Sequence, residues 1–257
     1  MIQFEQVSRK YGKKTAVFEL DLTVSPGEVF AFLGPNGAGK TTTIKMLSSL
    51  LRPSGGKITV CGHDTVAAPR EAASRVGYVP DEPHLYDKLS GREFLEFVGR
   101  MHGLTRRDVK DRIEREATRF QLDEFLTDLA ESYSHGMKQR VVFAAALMHD
   151  PSVLVVDEPM VGLDPRSARL VKDLFREAAA GGTTVFMSTH ALSLAEEVAH
   201  RIGIIDRGQL RFLGALGELN KEPDGVQESL EHKFLEITGG NGKAAVADMT
   251  SDCCGTK

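Results

Sequence analysis

Apolar positions along the chain follow two rhythms. The runs Val29-Phe30-Ala31-Phe32-Leu33 and Val153-Leu154-Val155-Val156 are short and continuous. Such runs suit strands buried on both faces of a parallel sheet. Ile2, Phe4 and Val7 begin a rough alternation, so residues 1–33 read as strands. Lys57–Cys61, Arg75–Val79, Thr183–Thr189, Arg201–Asp206 and Leu210–Leu213 predict more strands. Helices are predicted between them. One covers 40–51 and ends at the turn Arg52-Pro53-Ser54-Gly55-Gly56. Another covers Pro165–Ala180, with Asp164 as its cap, Pro165 at its first position and Gly181-Gly182 as its stop. A short helix is predicted for Ala191–Ala199.

From about Asp87 to Asp150 the rhythm is helical throughout. Ser90-Gly91-Arg92-Glu93 spells a capping box, and Phe94, Leu95, Val98 and Met101 then share one helix face. Thr105-Arg106-Arg107-Asp108 resembles a second box with Asp in place of Glu, and Val109, Ile113 and Phe120 form the stripe behind it. The many charges of that helix read as a solvated face. A third helix spans Gly136–Met148. Strands alternating with helices predict an α/β fold with a mostly parallel sheet and a helical lobe inserted at about 87–150. The Gly/Ala/polar stretch 239–257 predicts a flexible tail.

Composition narrows the class. The 257 residues are 41% hydrophobic and 26% charged, as in ordinary soluble domains, and the net charge of -4 argues against a nucleic-acid partner. Cys61, Cys253 and Cys254 make no zinc or disulfide pattern and read as reduced thiols. The first residues lack the basic-then-apolar order of a signal peptide, and the apolar stretch Val141–Met148 is too short to span a bilayer. The expectation is a cytosolic protein that meets a membrane only through a partner.

The chemistry begins at Gly34-Pro35-Asn36-Gly37-Ala38-Gly39-Lys40-Thr41, followed by Thr42. This is the G-x-x-x-x-G-K-[ST] phosphate loop, in its required place between a strand and a helix. Backbone N–H groups must converge on anionic oxygens, so glycines are needed where a Cβ would intrude. The following helix adds the positive end of its dipole. Lys40 can reach the β- and γ-phosphates, and the Thr41 hydroxyl can ligate Mg²⁺. Asp157-Glu158 ends the Val153–Val156 strand, and a carboxylate there is expected to lie beside the loop across a parallel sheet. Asp157 suits the Mg²⁺ shell, and Glu158 suits the general base that polarises the attacking water. His190 ends the Thr183–Thr189 strand on the same predicted edge, where it can donate to the γ-phosphate or orient Glu158.

With these motifs in this order, residues 1–238 resemble the nucleotide-binding subunit of an ATP-binding-cassette (ABC) transporter. The resemblance implies a P-loop NTPase (RecA-like) core, an N-terminal antiparallel β subdomain and an inserted helical lobe. It matches Tyr11 to the aromatic that stacks on adenine. Tyr133-Ser134-His135-Gly136-Met137 matches the signature peptide, Gly162-Leu163-Asp164 the aspartate loop, and His190 the switch histidine. It implies ATP and Mg²⁺ as ligands. It also implies a second nucleotide-binding subunit, whose Ser134 and Gly136 close over the first subunit's ATP, and a separate transmembrane permease on the inner face of the membrane.

The sequence departs from the family pattern in two places. Asp81 stands where most members carry Gln, offering Mg²⁺ a charged carboxylate close to Asp157 and Glu158. His135 and Met137 replace the signature's first Gly and its Gln. Asp81-Glu82-Pro83-His84-Leu85-Tyr86 and the ending Phe234-Leu235-Glu236-Ile237-Thr238 resemble the branch serving drug, sodium and antibiotic exporters. Two other functions fit the sequence less well. A soluble ABC-type ATPase acting on ribosomes or DNA fits poorly, because one cassette with three cysteines lacks such proteins' second cassette, coiled coil or zinc modules. A degenerate regulatory cassette fits poorly because Lys40, Asp157, Glu158 and His190 are all present.

Overall fold

The structure, a computed structural model, describes residues 1–216 and 230–239. Two sheets share the strands. An antiparallel sheet in the order β2-β1-β4-β5 is built from β1 (Ile2–Tyr11), β2 (Lys14–Val24), β4 (Gly55–Val60) and β5 (His63–Asp64). The second sheet has the order β10-β9-β3-β8-β7-β6. Its strands are β3 (Val29–Leu33), β6 (Val76–Val79), β7 (Val153–Asp157), β8 (Thr184–Thr189), β9 (Arg201–Asp206) and β10 (Gln209–Ala215). Every pairing in it is parallel except that of β10 with β9.

The apolar runs occupy the middle of this sheet: every residue of β3, β7 and β8 is buried. Successive side chains of a strand point to opposite faces, and β3 divides accordingly. Val29, Ala31 and Leu33 join the core beneath the helices, while Phe30 and Phe32 join the core beneath the antiparallel sheet. Phe186 sits 5.4 Å from Phe30 and 5.7 Å from Phe32, and all three rings are fully buried. Each such ring contributes about 1.5–3 kcal/mol of burial energy.

The helices are α1 (Lys40–Leu47), α2 (Pro69–Ala73), α3 (Gly91–Met101), α4 (Arg106–Phe120), α5 (His135–Leu147), α6 (Pro165–Ala180), α7 (Leu192–Val198) and α8 (Leu230–Gly239). Helix α1 stops short of the expected residue 51. Ser48 caps it, Ser49 turns into the left-handed region at φ 60°, and the Leu50 and Leu51 N–H groups fold back onto the Lys45 carbonyl. Capping at Ser90 is reciprocal: its Oγ accepts from Glu93 N, and its N donates to Glu93 Oε2 at 2.8 Å. At Thr105 the hydroxyl accepts from Asp108 N at 3.2 Å and donates to the Asp108 carboxylate at 2.7 Å. Asp164 caps α6 through the N–H groups of Arg166 and Ser167. Helices α3, α4 and α5 pack on one another as the expected lobe does. Helix α8, at the ending Phe234–Thr238 for which no element is predicted, covers α7 and β9. The expected tail beyond residue 239 lies outside the described residues. No helix among the described residues is long and apolar enough to cross a membrane.

Candidate functional site

Gly34–Gly39 joins β3 to α1. Its glycines answer different demands. A Cβ on Gly34 would lie 2.4 Å from the Ile205 carbonyl of β9, so that position needs close backbone approach. Gly39 is at φ 116°, and a Cβ there would lie 2.6 Å from the Ala16 carbonyl, so it needs both freedom and space. As N-cap of α1 it supplies no side-chain bond, and no acidic residue occupies the first turn. The first N–H groups of α1 are therefore left for an anion.

The buried Lys40 side chain folds back along the loop. Its Nζ donates to the Gly34 carbonyl at 2.7 Å and lies 3.4 Å from Glu158 Oε1. The other Glu158 oxygen lies 2.9 Å from His190 Nδ1 and accepts from His190 N at 3.3 Å. Glu158 itself sits at φ 48°, in the left-handed region, and its N–H donates to the Ser188 carbonyl at 3.0 Å. This tight turn lifts the carboxylate out of the strand line and toward the loop.

The strand order shows how Glu158 reaches the loop. β7 does not lie beside β3, because β8 runs between them, pairing Leu33 with Thr189 and Asp157 with Ser188. A loop and a carboxylate on non-adjacent strands still meet, since all these strands are parallel and end on one edge. The Ser188 hydroxyl binds Asp157 Oδ1, and no sequence signal had singled Ser188 out.

Asp157 is fully buried, and its Oδ2 has no hydrogen-bond partner in the protein. Burial raises its pKa. The Ser188 and Thr41 hydroxyls oppose that shift, and the charges of Asp81 and Glu158 reinforce it. An orphaned carboxylate oxygen is costly, and a cation next to Thr41 would satisfy it. Among the described residues no three His, Cys, Asp or Glu side chains form a metal cage. Asp157 with the Thr41 hydroxyl would suit an ion such as Mg²⁺, which takes one or two carboxylates and completes its shell with phosphate and water.

The loop, Lys40 and Glu158 border a cleft of about 440 Å³, lined by Tyr11, Asn36, Gly37, Gly39, Lys40, Thr41, Thr42, Asp81 and Glu158, together with Lys14 and Ala16, for which the sequence carries no signal; Asp157 and His190 stand behind this lining. Tyr11 is half exposed at the end of β1, and the Arg9 guanidinium stacks over its ring at 4.7 Å. Asp81 is exposed, with its Oδ1 accepting from Glu82 N at 3.0 Å. Pro35 and Ala38 shape the loop through the Ala38 N–H, which donates to the Pro35 carbonyl at 3.2 Å. Ser134, Gly136 and Asp164 are not brought into the cleft. Ser134 caps α5 through Met137 N at 3.3 Å, Gly136 follows it with open space around its Cα, and Asp164 starts α6.

A phosphate loop at the end of a parallel strand, with a lysine and two carboxylates converging on it, defines a P-loop nucleoside triphosphatase. The chain belongs to the ABC transporter family, whose model matches residues 17–161. It is 41% identical over 224 residues to the daunorubicin resistance ATP-binding protein DrrA3 of Streptomyces coeruleorubidus, covering 87% of this chain and 71% of that one. It is 40% identical to the linearmycin resistance ATP-binding protein LnrL of Bacillus subtilis, covering 85% and 70%. With the ABC transporter ATP-binding protein NatA of the same bacterium it shares 37% identity, covering 91% and 97%. Among solved structures, the ATP-binding subunit of an ABC transporter superposes with a TM-score of 0.86 at 28% identity, covering 92% of this chain and 99% of that one. A dimeric bacterial ABC transporter cassette superposes with a TM-score of 0.78 at 23% identity, covering 84% and 99%, and so shares the fold. The chain is thus an ATP-binding and ATP-hydrolysing ABC subunit.

Proposed function

We propose that this subunit closes face to face with a second nucleotide-binding subunit around two Mg²⁺–ATP, and that the pair powers export through a separate permease from the cytoplasmic side of the membrane. One observation carries the proposal. Lys40 and Glu158 line the cleft, with His190 held against the Glu158 carboxylate, whereas Ser134, Gly136 and Asp164 stand apart from all three. Each chain then holds half of two sites. The N-terminal end of α5, capped by Ser134 and open at Gly136, suits a partner's γ-phosphate. Export is supported by the relatives named for drug resistance.

In this reading the N–H groups of Gly34–Thr42 and the Lys40 ammonium hold the phosphates, and Tyr11 stacks on the adenine. Thr41, Asp157 and Asp81 hold Mg²⁺, which neutralises charge on the β- and γ-oxygens when bound. Glu158 takes the proton of the attacking water, and His190 holds the other carboxylate oxygen in line. The domain so defined spans 1–238, with the lobe at about 87–150 inserted into it. Chromatography with light scattering tests the reading: Glu158→Gln should dimerise with ATP and Mg²⁺ and co-purify a polytopic membrane protein. A strictly monomeric variant at saturating ATP would overturn it.

A further inference from the structure

We infer that His135 is a positioning residue that ties the signature helix to the segment between Glu158 and Asp164, so that the two half-sites of one chain move together. The His135 ring lies against that segment, with Nε2 3.1 Å from the Val161 carbonyl. A ring nitrogen facing a carbonyl must carry the proton, which selects the Nε2–H tautomer or the imidazolium and makes Val161 O the acceptor. The next residue, Gly162, sits at φ 72°, and a Cβ on it would lie 2.5 Å from His135 Cδ2. The ring thus occupies the space that the missing side chain leaves.

The 158–164 segment is held at both ends by other means. Glu158 is fixed by Lys40, His190 and Ser188, and Asp164 is fixed by its cap on α6. Its middle is exposed at Val161 and closed only by weak turns, Val161 N to Glu158 O at 3.3 Å and Leu163 N to Met160 O at 3.4 Å. His135 supplies the side-chain anchor there, and it directly follows Ser134, the cap of α5. Met137, two residues further along α5, and Met160 and Leu163 of the segment pack against the same apolar cluster. A shift of the α5 N-terminus is therefore passed to the segment that begins with Glu158. The tether belongs to the single chain. Its consequence, communication between the two ATP sites, rests on the face-to-face dimer proposed above.

Amide hydrogen exchange by NMR on the full chain reads the tether directly. In His135→Ala, exchange at Val161 and Leu163 N–H should quicken about three- to tenfold, the equilibrium worth of one hydrogen bond, with the interior of α5 unchanged. His135→Gln, whose amide can donate to the same carbonyl, should restore the wild-type rates. Unchanged exchange in the Ala variant, or a Gln variant that behaves like Ala, would overturn the tether. The Hill coefficient of ATP hydrolysis reads the coupling. It should fall toward one in His135→Ala and stay at its wild-type value in His135→Gln. Faster exchange with an unaltered Hill coefficient would overturn the coupling, whereas a Glu158→Gln chain that never dimerises would overturn the dimer and leave the exchange result standing.

Discussion

Lys40 Nζ and Glu158 Oε1 form an ion pair at 3.4 Å, the lysine buried and the glutamate 15% exposed. The phosphate-binding cation and the carboxylate at the end of β7 are thus in direct contact, although β8 separates their strands. A γ-phosphate arriving at Lys40 competes for this contact. Glu158 is then held by His190 alone, with one oxygen turned toward the cleft, which is the arrangement a base needs to polarise water.

Glu158→Gln keeps the shape and removes the base. Phosphate release should fall by about 10²–10⁴-fold while equilibrium ATP binding is retained. A steady-state assay beside a binding titration checks both. Turnover within tenfold of wild type would remove Glu158 from the role.

Asp81 borders the cleft near enough to Asp157 for its charge to raise that group's pKa. If it completes the cation shell, Asp81→Ala should raise the Mg²⁺ concentration needed for half-maximal ATP binding, and Asp81→Gln should largely preserve it. A fluorescent-nucleotide titration against Mg²⁺ measures this. An Ala variant with unaltered Mg²⁺ dependence excludes the role.

Tyr133 is buried, and its hydroxyl joins three backbone groups of the lobe. It accepts from Gly91 N at 3.0 Å and reaches the Phe125 and Asp128 carbonyls at 2.8 and 3.1 Å. Tyr133→Phe leaves the Gly91 donor and the Phe125 acceptor without this partner, at a cost of about 1–3 kcal/mol. Urea unfolding followed by circular dichroism should show the lower midpoint, and an unchanged midpoint would deny the network its structural weight.

His149 stacks on His102 at 3.7 Å, and its Nε2 lies 3.2 Å from the Val76 carbonyl. Burial, helped by the charge of His102, pushes its pKa down to about 4. The unfolded chain, with an ordinary histidine value near 6.5, takes up the proton first as the pH falls. Stability from this group is therefore complete above about pH 6.5 and is lost progressively down to about pH 4, by up to about 3 kcal/mol. Urea midpoints at pH 7.5 and pH 5 should differ more in wild type than in His149→Gln, and equal differences would refute the assignment.

Much of this molecule was legible in its sequence. Core strands announce themselves by continuous apolar runs, because a strand covered on both faces has no polar side. The phosphate loop is legible because its geometry is local: glycines, a lysine and a helix start dictate where N–H groups point. Caps at Ser90, Thr105 and Asp164 are equally local, each made within three residues of the cap. Local residue patterns thus specify the elements and the phosphate site. Chain-wide packing sets the rest: β8 runs between β3 and β7 and brings Ser188 onto Asp157, Lys40 meets Glu158, and His135 rests on Gly162. These contacts join residues remote along the chain, and their geometry follows from strand order and core packing, which no local pattern of residues encodes.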